Sequence, residues 1–543
     1  MFIPKLFTTL KDYTPKMFLS DLSAGIIVGI IAIPLSIAFA ISSGVSPEKG
    51  IITAIIGGFI VAVLGGSRVQ IAGPTGAFVA IVYGIVMKYG IEGLMISTVM
   101  GGVILVLMGF LKLGSVIKFI PYTITSGFTS GIAVIIFTGQ INDITGLTAP
   151  GEYSFFQKWY YYFSNMKNIN FTVFIYSVIA VIFLFLWPKI SKKIPASIIL
   201  IIFSTIINYF FKLNMETIGG KFGEITLNFQ MIKFSDINFS DINFLIMPAL
   251  SIAVLGAIES LLSAVVSDGM IGGNHRSNME LVAQGVANIF SGFTGGIPVT
   301  GAIARTAANV KNGGRTPVAG IIHSVTILFI MIFLTPYLKY IPLSALACVL
   351  IFVSVNMFET ESFKDIKRNH IYDTLVFVIT FILTFSVNLI AAIEVGIVLA
   401  AFLFMKRMTD VSGINYFKNE IRSNEIKDTL NFTEKNKEIE IYEINGPFFF
   451  GAAERLLKIN RQMNYFPKFL VLKMTQVPFI DSTALNALKK FAFSMKKKGT
   501  DIFIAEAGEE VKNSIKKYGI DEISYINELE EIYKIYDESK GLA

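Results

Sequence analysis

The chain has 543 residues, 53% of them hydrophobic and only 16% charged, with a mean hydropathy of +0.64. A soluble globular chain carries roughly a quarter charged residues, so this composition excludes an ordinary soluble domain and predicts a multi-span protein of the lipid bilayer. The net charge of +7 fits Lys and Arg gathered on cytoplasmic loops and calls for no nucleic-acid partner. One cysteine, Cys348, excludes an internal disulfide, and His275, His323 and His370 are too scattered for a metal site.

The opening stretch, MFIPKLFTTLKDYTPKMF, lacks the basic, apolar, small-residue order of a cleavable signal, so residues 1–20 read as a cytosolic N-terminal segment. A spanning helix needs about 20 apolar residues. Fourteen segments follow, near 21–44, 48–65, 73–88, 91–111, 115–141, 171–188, 194–211, 243–268, 279–294, 299–311, 317–337, 343–358, 373–390 and 392–406. The glycine-rich early ones overlap enough to allow twelve or thirteen. With the N-terminus inside, Arg68, Arg276, Arg315, Arg368 and Arg407 all fall in or beside cytoplasmic loops, as do the clusters PKISKK and KDIKR. Arg305 alone lies inside a segment. His323, in AGIIHSVTILF, reads as a hydrogen-bonded helix residue, and Asp268 as a solvated helix end.

Two stretches repeat one pattern: QIAGPTGAFVAIV from Gln70 and PVTGAIARTAANV from Pro298. Thr75 and Thr300 are 225 positions apart (300 − 75), each in the third segment of a half. Seven spans separate the halves, and an odd number inverts the second relative to the first. The transport domain, 21–410, therefore contains two repeats, near 21–211 and 243–408. A polar linker, 411–436, follows. From 437 to 543 strands and amphipathic helices alternate (EIEIYEI, FGAAERLLKI, FLVLKM, STALNALKKFAFSMKKK, DIFIAEA), which predicts a small cytosolic α/β domain.

Non-helical backbone at membrane depth is tolerated where it lines a cavity or is buried in protein. Gly73, Pro74 and Gly76, and Gly295, Gly296, Pro298 and Gly301, mark such backbone. A helix that starts mid-membrane presents unpaired N–H groups and the positive end of its dipole, and two such ends facing one pocket make an anion site. Arg305, five residues past Thr300, adds a permanent positive charge there. Glu259, in IAVLGAIESLLSAVVSD, is the other intramembrane charge, with Ser263 one turn on. That carboxylate and hydroxyl can take a proton or a small cation, or Glu259 can pair with Arg305. No nucleophile–base pair and no phosphate-cradling loop is present, so no enzyme and no cofactor is expected.

Together DLSAGIIVGIIAIPLSIAFA, GPTGA, AIESLLSAVVSD and NMELVAQGVANIFSGFTGGIPVTGAIARTAANV resemble the SulP (sulfate permease, solute carrier 26) family of anion transporters. The tail, with VPFIDSTALNAL, resembles a STAS domain, and its lack of a long insertion suggests a bacterial protein. The resemblance implies a seven-plus-seven inverted repeat and a core domain (segments 1–4 and 8–11) moving against a gate domain (5–7 and 12–14). It further implies a homodimer in the cell membrane with both the N-terminus and the STAS domain cytoplasmic. By position it puts the anion at Thr75, Gly76 and Ala77 and at Thr300, Gly301 and Ala302, with Ser36 and Phe39 as side walls. Serine at 36 departs from the glutamine of many sulfate-type members, and Glu259 resembles the proton-coupled branch. Ser482 matches a serine that is phosphorylated in anti-sigma antagonists; otherwise it is a helix N-cap. A cytosolic regulatory partner at the STAS domain is implied. The expectation is a secondary transporter of sulfate, bicarbonate or a dicarboxylate, coupled to protons, by an elevator-like mechanism. Its rivals are a sodium-coupled symporter, a nucleobase–cation symporter of similar fold and an anion channel.

Overall fold

The computed structural model describes residues 2–117, 121–150, 153–191, 195–211, 213, 215–224, 242–366, 368, 370–387, 389–411, 413–416, 438–463 and 465–540. Most of the expected linker, including Asn436, and the basic residues Lys192, Lys193 and Lys367 lie outside them. The chain divides into two compact units, Met1–Val398 and Leu399–Ala543.

In the first unit the first half runs α1 (Lys5–Thr9), α2 (Pro15–Ser42), α3 (Pro47–Leu64), β1 (Ala72–Gly73), α4 (Gly76–Phe110), α5 (Gly114–Ile117), α6 (Tyr122–Gly139), α7 (Ile141–Thr145), α8 (Phe155–Ser164), α9 (Phe171–Ile190), α10 (Ala196–Phe211) and α11 (Ile218–Phe222). The second half runs α12 (Ile242–Ile271), α13 (Ser277–Phe293), β2 (Thr300–Gly301), α14 (Ile303–Lys311), α15 (Pro317–Leu334), α16 (Leu343–Met357), α17 (Thr360–Asp365), α18 (Ile371–Ser386) and α19 (Leu389–Val411), the last continuing into the second unit. Among the described residues, eight helices are long and apolar enough to cross a membrane. One of them, α4, turns at Gly90, whose φ of 70° and ψ of −173° break the helix, so it supplies the third and fourth segments. Helices α10 and α18 are apolar but shorter, and α14, which follows the second break, has only nine residues. With α13 and α19, the fourteen segments form two sets of seven. The ten-residue helix α8, which its short length hides between spans, is extra; Ser154 and Gln157 form a capping box at its start.

Two helical groups follow from the packing. Helices α2, α3, α4, α12, α13 and α15 pack on one another, and α6, α9, α10, α16 and α18 on one another. These are the core and the gate. Small residues set the closest crossings: a Cβ on Gly102 would meet the Gly285 carbonyl oxygen at 2.6 Å, and one on Gly285 would meet that of Gly102 at the same distance. In the gate, Gly127 lies against the Phe377 carbonyl and Gly131 against Thr384.

In the second unit a five-stranded sheet has the order β3 (Gly413–Tyr416), β4 (Ile439–Asn445), β5 (Phe469–Gln476), β6 (Asp501–Ala505), β7 (Ile523–Ile526). Only β3 is antiparallel to its neighbour, and it comes from a stretch whose polarity reads as linker. Alternation along β5 serves both faces. Leu470 and Leu472 pack with α20 (Phe450–Gln462), α21 (Ser482–Lys497) and α22 (Glu509–Tyr518), whereas Phe469 and Val471 pack with Ile532 and Tyr536 of α23 (Glu531–Ser539). The N-cap of α21 is Asp481, whose Oδ1 accepts from Ala484 N at 2.7 Å. Ser482 is therefore not the cap; it is the first helical residue and is exposed.

Candidate functional site

Both breaks leave the helical ladder, and their backbone groups must find other partners. They find each other. β1 and β2 pair antiparallel, with Ala72 opposite Gly301 and Gly73 opposite Thr300, and Ala302 N donates to Ile71 O at 2.9 Å. Side chains satisfy much of the rest. Ile71 N donates to Thr306 Oγ1 at 3.0 Å and Gly301 N to Ser260 Oγ at 3.1 Å. Val299 N donates to Asn288 Oδ1 at 2.9 Å and Ile297 N to Thr53 Oγ1 at 2.7 Å. Asn309 Nδ2 donates to Val69 O at 2.9 Å.

The charged side chains grip adjacent residues of the first break. Arg305, 3% exposed, donates through Nη2 to Pro74 O, while Thr75 Oγ1 donates to Glu259 Oε2 at 3.0 Å. Arg305 and Glu259 are thus joined through the Pro74–Thr75 peptide. The second terminal guanidinium nitrogen, Nη1, is buried without a hydrogen-bond partner among the described residues. Gly73 makes this approach possible: its φ is +154°, and a Cβ there would stand 2.7 Å from Arg305 Nη1.

Thr75 is the N-cap of α4 and Ala302 that of α14, and neither supplies a side-chain cap. The Thr75 hydroxyl is turned to Glu259 and Ala302 has none, so, although Phe78 N donates to Thr75 O at 3.3 Å, no side chain caps the first amides of either helix. Over Gly76 lie Phe39 of the core and Ile136 and Met357 of the gate, all within 4 Å of where a Cβ would be. The α4 N-terminus therefore sits at the boundary between core and gate. Above it, a cleft of about 850 Å³ is lined by Val79, Ala80 and Tyr83 of α4 and by gate residues including Ile136, Thr138 and Phe385.

Phe39, Thr75, Gly76, Glu259 and Arg305 come together at the first break. Thr300 Oγ1 is 2.8 Å from Ser260 Oγ, and the Gly301 and Ala302 amides are already bonded, so on that side the uncapped amides begin at Ile303. Ala77 is buried just inside α4. Ser36 is buried where α2 crosses Gly50, and among the described residues its hydroxyl has no partner. Ser263 donates to Thr306 Oγ1 at 3.2 Å, tying α12 to α14.

Sequence reasoning missed Ser260, beside Glu259, and Glu280, whose Oε2 accepts from Gly66 N at 2.7 Å and Ser67 N at 3.0 Å; a polar residue inside an apolar helix is the signal for both. Two expectations are corrected. Asp268 is not a freely solvated end: its side chain is only 16% exposed, and His275 Nδ1 lies 2.7 Å from its Oδ2. His323 is fully buried, and neither ring nitrogen has a hydrogen-bond partner among the described residues.

The sequence matches the model of the sulfate permease family over residues 18–380 and that of the STAS domain over 433–539. It is 37% identical to the putative sulfate transporter YvdB of Bacillus subtilis (strain 168), over 94% of this chain and 95% of that one. It is 28% identical to the bicarbonate transporter BicA of Picosynechococcus, over 92% and 90%. Among solved structures, that of the murine solute carrier 26 family member A9 anion transporter in the inward-facing state superposes with a TM-score of 0.86 at 19% identity, covering 99% of this chain and 94% of that one. The transmembrane domain of a cyanobacterial BicA superposes with a TM-score of 0.63 at 25% identity, over 72% and 98%. A family model that spans most of the membrane unit, with whole-length relatives that are transporters, places this chain in the sulfate permease family: it is a multi-pass membrane anion transporter, not an enzyme, with a C-terminal STAS domain.

Proposed function

We propose that this chain is a proton-coupled symporter that carries a small oxyanion or carboxylate, of the sulfate, bicarbonate or dicarboxylate class, across the cell membrane. The anion is held between the N-termini of α4 and α14, and the core carries it past the gate in an elevator-like motion. The observation that carries this reading is the Pro74–Thr75 peptide gripped by Arg305 on one side and Glu259 on the other, beside uncapped helix amides. Uncapped N–H groups with a guanidinium favour a negative ligand. A second negative charge beside the Glu259 carboxylate is repelled, so the anion and a proton on that carboxyl favour each other, and the linkage is reciprocal. The likeness to YvdB, a putative sulfate transporter, and to BicA, a bicarbonate transporter, supports the ligand class. The relation of gate residues Ile136 and Met357 to Gly76 supports the motion, since the site lies on the seam that would slide.

In this reading the N-terminus and the STAS domain face the cytoplasm, the chain works as a homodimer, and the STAS domain receives a regulatory partner. The deciding experiment is uptake by purified protein in liposomes of sulfate, bicarbonate, chloride, fumarate and succinate, at two pH values without sodium. Stoichiometric uptake of one anion, accelerated by an inward proton gradient, is the expected result. A requirement for sodium with indifference to the pH step would make Glu259 part of a sodium site and overturn the proton coupling. Conductive flux without a fixed stoichiometry would mark a channel.

A further inference from the structure

The cleft above Gly76 holds a cation that the transport reading leaves unused. Lys158, on α8, lines it together with Tyr83 of α4, and its Nζ stands over the Tyr83 ring at 5.8 Å from the centroid. The two residues belong to different bodies. Phe155 fixes α8 to the gate through Phe385 of α18, ring centroids 4.8 Å apart, whereas Tyr83 rides on the core helix that bears the uncapped amides.

The charges in the cleft sort unevenly. Asp143 lies within electrostatic reach of Lys221 and Glu216, and all three line the same cleft. Lys158 has no such company: among the described residues no carboxylate pairs with it, and partial burial alone draws its ammonium below the usual lysine range. A half-buried lysine facing only an aromatic ring keeps its donors available to a ligand. From Tyr83 the cleft face of α4 descends through Ala80 and Val79 to Gly76, a helical rise of about 10 Å.

We propose that Lys158 is the capture residue for the anion, holding it through its ammonium at the mouth of the cleft before it descends α4 to the central site. The ligand is the same small inorganic or carboxylate anion, so the proposal rests on the transport reading. It also rests on the cleft facing the cell exterior: it lies at the ends of α2 and α6 away from the N-terminus.

Charge-selective labelling of the full-length protein in intact cells tests this without requiring transport. Cys348, the one native cysteine, is replaced by alanine, and Tyr83→Cys supplies a thiol beside Lys158. The rates of modification by anionic sulfonatoethyl and cationic trimethylammonioethyl methanethiosulfonate are then compared. Lys158→Gln is expected to lower the anionic-to-cationic ratio about three- to fivefold, from one unit charge at this separation in screened water. Lys158→Arg should preserve the ratio, and Lys158→Glu should lower it further, which also serves if the glutamine variant folds poorly. An unchanged ratio in both Lys158→Gln and Lys158→Glu, or labelling of the Tyr83→Cys thiol only from the cytoplasmic side, overturns the proposal. If no anion of the uptake panel were moved while the ratio still followed the charge at 158, the transport reading would fall and the capture site would stand.

Discussion

Thr75 and Glu259, 184 residues apart in sequence, meet through a 3.0 Å hydrogen bond in which the threonine hydroxyl donates to the carboxylate. This threonine is also the N-cap of α4, and its side chain caps nothing there. One hydroxyl therefore leaves the helix end open and links it to the carboxyl on α12. A change of charge on Glu259 is felt directly at the end that the anion is proposed to occupy.

Glu259→Gln keeps an oxygen that can accept from Thr75 and removes the charge. The variant is expected to bind the anion but to lose acceleration by an inward proton gradient. Uptake by wild type and variant with and without a pH step, in sodium-free buffer, gives the answer; full acceleration in the variant would remove Glu259 from the coupling.

Arg305→Ala removes a charge-assisted contact, typically worth about 1.5–3 kcal/mol, and apparent anion affinity should fall roughly ten- to a hundredfold. It also leaves Pro74 O without its donor, so a modest loss of thermal stability should accompany the transport defect. Arg305→Lys keeps the charge but loses the two-pronged fork, and should recover part of the affinity. Unaltered half-saturation in the alanine variant, measured by uptake or by ligand-induced thermal shift, would contradict the assignment.

Gly73→Ala places a methyl 2.7 Å from Arg305 Nη1 at a φ of +154°. The guanidinium must move or the β1–β2 ladder must distort, at a cost of about 1–3 kcal/mol. The purified variant is expected to melt at a lower temperature and to lose transport. Gly84→Ala, which meets nothing within 4 Å, is the matched control and should do neither.

In the STAS domain, Asp481→Ala should destabilise by about 1 kcal/mol through the lost cap of α21, read by denaturant unfolding. Ser482→Ala should be nearly neutral. Deleting the residues after Asn436 should leave anion binding measurable while transport or expression declines.

The parts of the molecule that contrast with their surroundings were readable in the sequence. Two proline–glycine breaks, one arginine and one glutamate stand out in apolar text; the apolar run lengths led to fourteen segments, and the seven spans between the breaks to an inverted repeat. Which group bonds which was less readable, because a helix period fixes a face and not its neighbour. Ser263 shares a face with Glu259 by spacing, yet α14 packs there and Thr306 takes its hydroxyl. The amides of Gly301 and Ala302 looked open until tertiary packing brought Ser260 and Ile71 to them. Helix α8, FFQKWYYYFS, is too short to span, so it falls between segments, and only its packing on the gate makes sense of it.

The ladder between β1 and β2 also sets a schedule for biosynthesis. Gly73 cannot meet Thr300 until 227 further residues (300 − 73) have been made. At about 5–20 residues per second, the first break waits roughly ten to forty-five seconds in or beside the membrane with its peptide groups unpaired. Lipid offers them no substitute partner. The nascent third segment must therefore stay where water or the insertion machinery can serve those groups, and it settles at its final depth only when its counterpart arrives.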